Sequence, residues 1–139
     1  MNKHLKSLVF KLLAMTLFLS CCTTVFAALP PDLSPQWNNV NSCTVDISFG
    51  SGSISSTISI NGKSGATFYN GTIVLEKVTG EGSGIIATWT NQSSSTNYFD
   101  FDETVYVAPT SGRYKLTINI WTVRNGVTEK INASANKVY

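Results

Sequence analysis

Histidine is almost absent from this chain of 139 residues. The single histidine, His4, lies in an N-terminal segment that has the features of an export signal. Without it, the rest of the chain cannot form Ser-His or Cys-His nucleophilic pairs, or zinc sites built on histidine. We therefore expect no enzyme activity and no cofactor.

Cysteine is scarce as well. Of the three cysteines, Cys21 and Cys22 lie in the same N-terminal segment, so Cys43 would be the only thiol of the exported chain. An intramolecular disulfide is then excluded. Because Cys43 is in phase with Val45 and Ile47, we expect a buried, unreactive thiol, with an intermolecular disulfide as the alternative.

Charged residues make up only 13% of the chain. Three of the ten Lys and Arg residues lie in the N-terminal segment, which leaves seven against eight Asp and Glu. The exported chain is thus nearly neutral and has no basic run that could follow a phosphate backbone. This balance argues against a nucleic acid partner.

Residues 1–27 are typical of a secretory signal peptide, which we expect to be helical. A basic beginning precedes an apolar run over residues 12–22, and Val25-Phe26-Ala27 fits a cleavage site before Ala28. The apolar run is too short for a membrane span. Partial matches to a lipidation pattern make a lipid anchor at Cys21 or Cys22 the alternative to free secretion.

The region after the signal divides into two parts. Residues 28–41 contain three prolines and predict an extended lead-in that Trp37 attaches to the domain. Residues 42–139 show no helical periodicity. Instead, apolar and polar residues alternate in short runs separated by Gly, Asn, Ser and Pro, which predicts β-strands. These runs are 43–49, 54–60, 67–78, 85–90, 99–107 and 113–135.

Several irregularities are expected within the strands. Asn70-Gly71 suggests a bulge, and a break is expected near Glu103. We expect a turn at residues 80–84 and a polar loop at residues 91–96. In the run between them, Ile85, Ala87 and Trp89 are predicted to share one face.

The segment 113–135 predicts a long hairpin. Asn125-Gly126 tolerates the two positive φ angles of a type I′ turn, and this turn fixes the register of the two flanking strands. One face then pairs Ile120 with Ile131, Ile118 with Ala133 and Leu116 with Ala135, and the other pairs Trp121 with Lys130, Asn119 with Asn132 and Thr117 with Ser134.

A sheet with one apolar face needs a second sheet to cover it. About seven short strands with regularly spaced turns therefore predict an all-β fold, an antiparallel β-sandwich, with a partly open barrel as the alternative. Residues 111–114, Ser-Gly-Arg-Tyr, are similar to the start of the strand in immunoglobulin-like domains where a Tyr braces a corner.

Trp121 is the principal candidate for a binding residue. The predicted register exposes it on the polar face with Asn119, Lys130 and Asn132. A flat aromatic ring beside amides suits stacking and hydrogen bonding to a glycan or a protein. The alternative is local packing of Trp121 against Lys130.

Paired carboxylates are the remaining candidates for chemistry. Asp100 and Asp102 are two residues apart on a predicted strand and Glu103 follows them. They could form a solvated outer face or supply part of a calcium site. Nothing in the sequence indicates the cleft and the second, separately tuned carboxylate that a glycosidase needs.

The second half of the chain resembles a family of small secreted all-β proteins of Gram-positive gut bacteria, a family of unknown function. The resemblance depends on Leu75-Glu76-Lys77, Trp89, the Gly112 to Lys115 run and the Asn125-Gly126 hairpin with Glu129. Glu76 departs from the glutamine expected there. The resemblance implies an immunoglobulin-like sandwich and adds no catalytic residues.

These observations predict an exported, non-catalytic β-sandwich that acts by binding to a protein or glycan. The alternatives are a structural or self-assembling extracellular protein that associates through its edge strands, and a small secreted inhibitor or effector.

Overall fold

The computed structural model describes residues 37–80 and 82–139, which form seven β-strands and no helix. The predicted signal helix and most of the predicted lead-in lie outside these residues. In chain order the strands are β1 (Val40–Phe49), β2 (Ile54–Gly62), β3 (Thr67–Thr79), β4 (Gly82–Ser94), β5 (Tyr98–Val105), β6 (Arg113–Arg124) and β7 (Val127–Val138).

The strands form two antiparallel sheets, with the orders β1-β2-β5 and β4-β3-β6-β7. In immunoglobulin lettering these are sheets A-B-E and C′-C-F-G. The two sheets share no strand pairing among the described residues, so the fold is a sandwich and not a partly open barrel. The prediction of a seven-stranded, immunoglobulin-like β-sandwich is confirmed.

The core consists of the inward side chains of both sheets. Strand alternation supplies them, because every second residue of an antiparallel strand points to the same face. Each fully buried Ile or Leu contributes roughly 1.5–3 kcal/mol relative to an exposed one. The fully buried aliphatic residues are Ile47, Ile54, Ile58 and Ile60 from the smaller sheet, and Ile73, Leu75, Leu116, Ile118, Ile120 and Ile131 from the larger.

The β6–β7 hairpin has the predicted geometry. Arg124 pairs with Val127, and Asn125 and Gly126 between them have φ angles of 50° and 77°. All six predicted cross-strand pairs are present. The positive φ values show why Asn-Gly stands here, since few other dipeptides adopt them at low cost.

Strands β3 and β4 are less regular than their sequences suggest. The predicted irregularity at Asn70 is confirmed by a φ of 52° and by a shift of register there with both neighbouring strands. A further shift, between Leu75 and Glu76, makes Ile86 an extra residue in β4. The bulge turns Ile85 outward, where 68% of it is exposed, while Ala87 and Trp89 face the core. The prediction that Ile85 shares their face is wrong.

Three other features of the chain differ from the prediction. Residues 91–94, predicted to be loop, belong to β4, because an edge strand exposed to solvent can be polar. The predicted break near Glu103 is absent, and β5 continues in regular pairing with β2 to Val105. The first strand begins at Val40, inside the segment that the sequence assigned to the lead-in.

Side chains hold the start of the described chain against the hairpin. The carboxylate of Glu129 accepts hydrogen bonds from the backbone N–H groups of Asn38 and Asn39, both at 2.9 Å. At the other end of β1, the Lys137 ammonium lies 3.4 Å from the Asp46 carboxylate. Trp37 packs against the core, as predicted. These contacts connect the β1 and β7 edges of the two sheets.

A buried tyrosine braces the connection between β5 and β6. The Tyr114 hydroxyl donates to the Thr110 carbonyl oxygen and accepts from the Thr110 N–H, both at 2.9 Å. This is the tyrosine corner of immunoglobulin-like domains. Burial raises the pKa of Tyr114, whereas the hydrogen bonds to Thr110 and the charge of Lys77 lower it. The lowering effects together are larger, so the pKa lies below its usual value.

Candidate functional site

Trp121 lies on the outer face of the four-stranded sheet. It follows Ile120, which is fully buried, so strand alternation directs the indole away from the core. The side chain is 38% exposed. Tyr69 of β3 lies directly opposite it on one side and Lys130 of β7 on the other. An aromatic residue is thus placed at the centre of a row that spans three strands.

Lys130 covers part of the indole. Its ammonium nitrogen lies 5.9 Å from the centroid of the Trp121 ring, within the range of a cation–π interaction. The pair is directly cross-strand, so the hairpin register produces this contact. At an exposed position such an interaction contributes about 0.5–1 kcal/mol, which is weak enough for a ligand to replace it.

An amide pair forms the next row of this face. The Asn132 side-chain N–H group donates to the Asn119 side-chain oxygen at 2.8 Å. The pair is about 7 Å along the strand from Trp121, since each residue of a strand advances the chain by about 3.4 Å. The four residues that the sequence predicted as a binding surface are therefore on one face and in two adjacent rows.

Tyr69 is part of this surface, although the sequence pattern did not predict it. It pairs with Trp121 and is partly exposed. The neighbouring Asn70 interrupts the alternation of β3, so the phase of Tyr69 could not be read reliably from the pattern. The remaining signal was the position of an aromatic residue beside an Asn-Gly step. We call Tyr69, Trp121, Lys130, Asn119 and Asn132 the Trp121 face.

The three carboxylates considered for calcium do not converge. Asp100 and Asp102 project from the outer face of the smaller sheet, opposite Ser59 and Thr57. Glu103 pairs with the inward-facing Ser56 and is therefore in the opposite phase. Asp100 accepts a hydrogen bond from the Ser59 hydroxyl at 2.8 Å. Among the described residues, no three acidic, Cys or His side chains are close enough to hold a metal ion together.

Cys43 is a free thiol that packs against the core from β1. Burial raises its pKa to about 11. At neutral pH the thiol is therefore protonated, and the nucleophilic thiolate is nearly absent. Cys43 is half-buried and not fully buried as predicted, but its raised pKa agrees with the expected low reactivity.

The fold and the surface together define an immunoglobulin-like β-sandwich with an aromatic, basic and amide-bearing outer face. No model of a known protein family matches the chain. A search of functionally curated proteins also finds no match. Within residues 37–80 and 82–139, no helix has the length and apolar character needed to cross a membrane.

Proposed function

We propose that this protein is an exported, non-catalytic recognition protein that binds a protein or glycan through the Trp121 face. The observation that supports this most directly is the placement of Trp121. A large aromatic side chain, 38% exposed, lies on the outer face of the sheet between its cross-strand neighbours Tyr69 and Lys130. Exposed aromatic residues with hydrogen-bonding neighbours are typical of recognition surfaces.

The core of the sandwich does not depend on Trp121. The fully buried residues of β6 point to the opposite face, and Trp121 does not belong to the core cluster that they form. An indole exposed at this position is therefore better accounted for by an interaction on the surface than by stability of the fold.

Export to the cell exterior is part of this proposal, with a lipid anchor at Cys21 or Cys22 as the alternative. The mass of the mature protein separates the two. Cleavage before Ala28 gives an unmodified chain, whereas anchoring gives a chain that begins at a cysteine with a lipid attached.

The binding test compares the wild-type protein with Trp121→Ala on a glycan array and in capture from the extracellular medium. Tyr106→Ala is the matched control, because Tyr106 is an aromatic residue that is 87% exposed and lies outside the Trp121 face. We expect Trp121→Ala to abolish binding and Tyr106→Ala to preserve it. Both variants should melt within about 5 °C of the wild type, since neither change removes core packing.

Two results contradict the proposal. One is a partner that both variants retain equally, which would place the binding surface elsewhere. The other is loss of folding in Trp121→Ala, which would assign the indole to stability.

Self-assembly through edge strands is the second candidate function. The structure favours the β4 and β5 side for it, because these strands end their sheets and the Glu129 and Lys137 contacts are on the other side. Ile85 on β4 is strongly exposed there. Concentration-dependent association in sedimentation velocity that Ile85→Lys abolishes and Trp121→Ala leaves intact would favour assembly over recognition.

A further inference from the structure

The charges of the sandwich are separated between its two outer faces. Asp46, Asp100 and Asp102 all lie on the outer face of the smaller sheet. Among the described residues, the outer face of the larger sheet carries the cations Arg113, Lys115 and Lys130 and one anion, Glu76. The chain is nearly neutral overall, but its Trp121 side is basic and its opposite side is acidic. Such a distribution orients an approaching anion toward the basic side.

Lys130 is the cation best placed to meet a ligand. Lys115 lies 3.8 Å from the Glu76 carboxylate, so its charge is already compensated in part. Among the described residues, the two ion pairs found involve Lys115 and Lys137, and neither involves Lys130. The interaction that holds the Lys130 ammonium is therefore the contact with the Trp121 ring.

This contact determines which ligands the surface favours. A flat ring that stacks on Trp121 must move the ammonium off the indole, which costs the cation–π interaction. A neutral ligand forms no ion pair with Lys130 that would offset this cost. A ring that carries an anionic group replaces the lost contact with an ion pair, so the anionic ligand binds more tightly than its neutral counterpart.

The amide row adds hydrogen bonds beside the ring. The Asn132 N–H group donates to the Asn119 oxygen, and the Asn119 NH₂ group and the Asn132 side-chain oxygen make no hydrogen bond among the described residues. The row thus offers at least one donor and one acceptor next to an aromatic platform. Sugar hydroxyl groups, which both donate and accept, match such a pair.

We propose that the Trp121 face binds an acidic saccharide, with a sugar ring on the indole, its carboxylate or sulfate group at Lys130 and hydroxyl groups at Asn119 and Asn132. This inference rests on the proposed recognition function and names the ligand class for the same surface.

The test is titration calorimetry on the protein secreted from cells that express the full chain. The probes are oligogalacturonate, its fully methyl-esterified form, a heparin oligosaccharide and polyglutamate. We expect either acidic saccharide to bind at least about fivefold more tightly than the ester, the equivalent of about 1 kcal/mol. Lys130→Gln should remove most of this preference and Lys130→Arg should keep it. Lys137→Gln is the matched control, because Lys137 is also an exposed β7 lysine but pairs with Asp46.

Each alternative outcome has a definite meaning. Equal, Trp121-dependent binding of the ester would overturn the acidic ligand but leave the recognition function supported. Equal binding of polyglutamate, or acidic binding that survives Trp121→Ala, would show attraction by charge alone and overturn the inference. If neither acidic saccharide binds, the inference is also overturned, and the array result with Trp121→Ala decides the recognition function separately.

Discussion

The tyrosine corner offers a direct test of the fold, because one atom of Tyr114 makes both of its hydrogen bonds. The variant Tyr114→Phe removes the hydroxyl and keeps the buried ring. Each bond contributes about 1 kcal/mol net to stability. Thr110 is an exposed residue and its two bonds to Tyr114 are partly buried, so water reaches the released N–H and carbonyl groups and the added desolvation penalty is small. We therefore expect a loss of about 1–2 kcal/mol in the free energy of unfolding.

The ring makes a separate and larger contribution. Tyr114 is 2% exposed, and its ring makes an edge contact with Phe49, whose ring also contacts that of Tyr139. Tyr114→Ala removes this packing as well and should cost about 3–5 kcal/mol. Tyr106→Phe is the control, because this hydroxyl belongs to an 87% exposed residue with no hydrogen bond in the described structure. It should change the stability by less than about 0.5 kcal/mol.

Urea unfolding monitored by circular dichroism measures all three variants. In a domain of this size, each 1 kcal/mol corresponds to a shift of about 4–8 °C in melting temperature. If Tyr114→Phe is as stable as Tyr106→Phe, the corner does not hold the connection between β5 and β6. If it is as unstable as Tyr114→Ala, the hydroxyl does more than bind Thr110. Either result would contradict the role of the Tyr114 hydroxyl as a brace that acts only through its two bonds to Thr110.

Two further predictions concern polar groups at the core. The Thr122 side chain is fully buried, and its hydroxyl has no hydrogen-bond partner among the described residues. Thr122→Val should therefore raise the free energy of unfolding by about 1 kcal/mol in urea titration, and a loss of stability would show that the hydroxyl is bonded. The raised pKa of Cys43, about 11, favours the neutral thiol in the folded state, whereas an unfolded thiol titrates near 8.5. Its contribution to stability is therefore complete below about pH 8.5 and is lost as the pH rises toward about 11. The difference in unfolding free energy between wild type and Cys43→Ala should decline over that range in reducing buffer, and a constant difference would contradict this assignment.

The β6–β7 hairpin was predictable in register because two independent constraints agree. Asn125-Gly126 permits a two-residue turn, and only one register then places all the isoleucines on one face. The same agreement fixed the direction of Trp121. Sequence therefore predicted the part of the site that lies on this hairpin, including Lys130.

Strand β4 was harder to predict because its alternation is broken by adjacent apolar residues. Ile85 and Ile86 are equally apolar, so the pattern cannot indicate which of them faces the core when a bulge is present. Residues 91–94 at the polar end of β4 show no apolar alternation that would predict a strand, because an edge strand can be solvated on most of its surface. Tyr69 was missed for a related reason, because the positive φ of Asn70 separates it from the regular part of β3.

The charge separation of the sandwich could not be predicted from the individual strands. Each strand of the chain carries only a few charges, and the total is close to neutral. The acidic face appears only when β5 pairs with β2 and thereby places Asp100 and Asp102 on the same outer face as Asp46. The basic face likewise requires β3 and β6 to join β7. Neutral composition therefore gave no indication of an anionic ligand. The arrangement of the two sheets places Lys130, which forms no ion pair among the described residues, beside the exposed ring of Trp121.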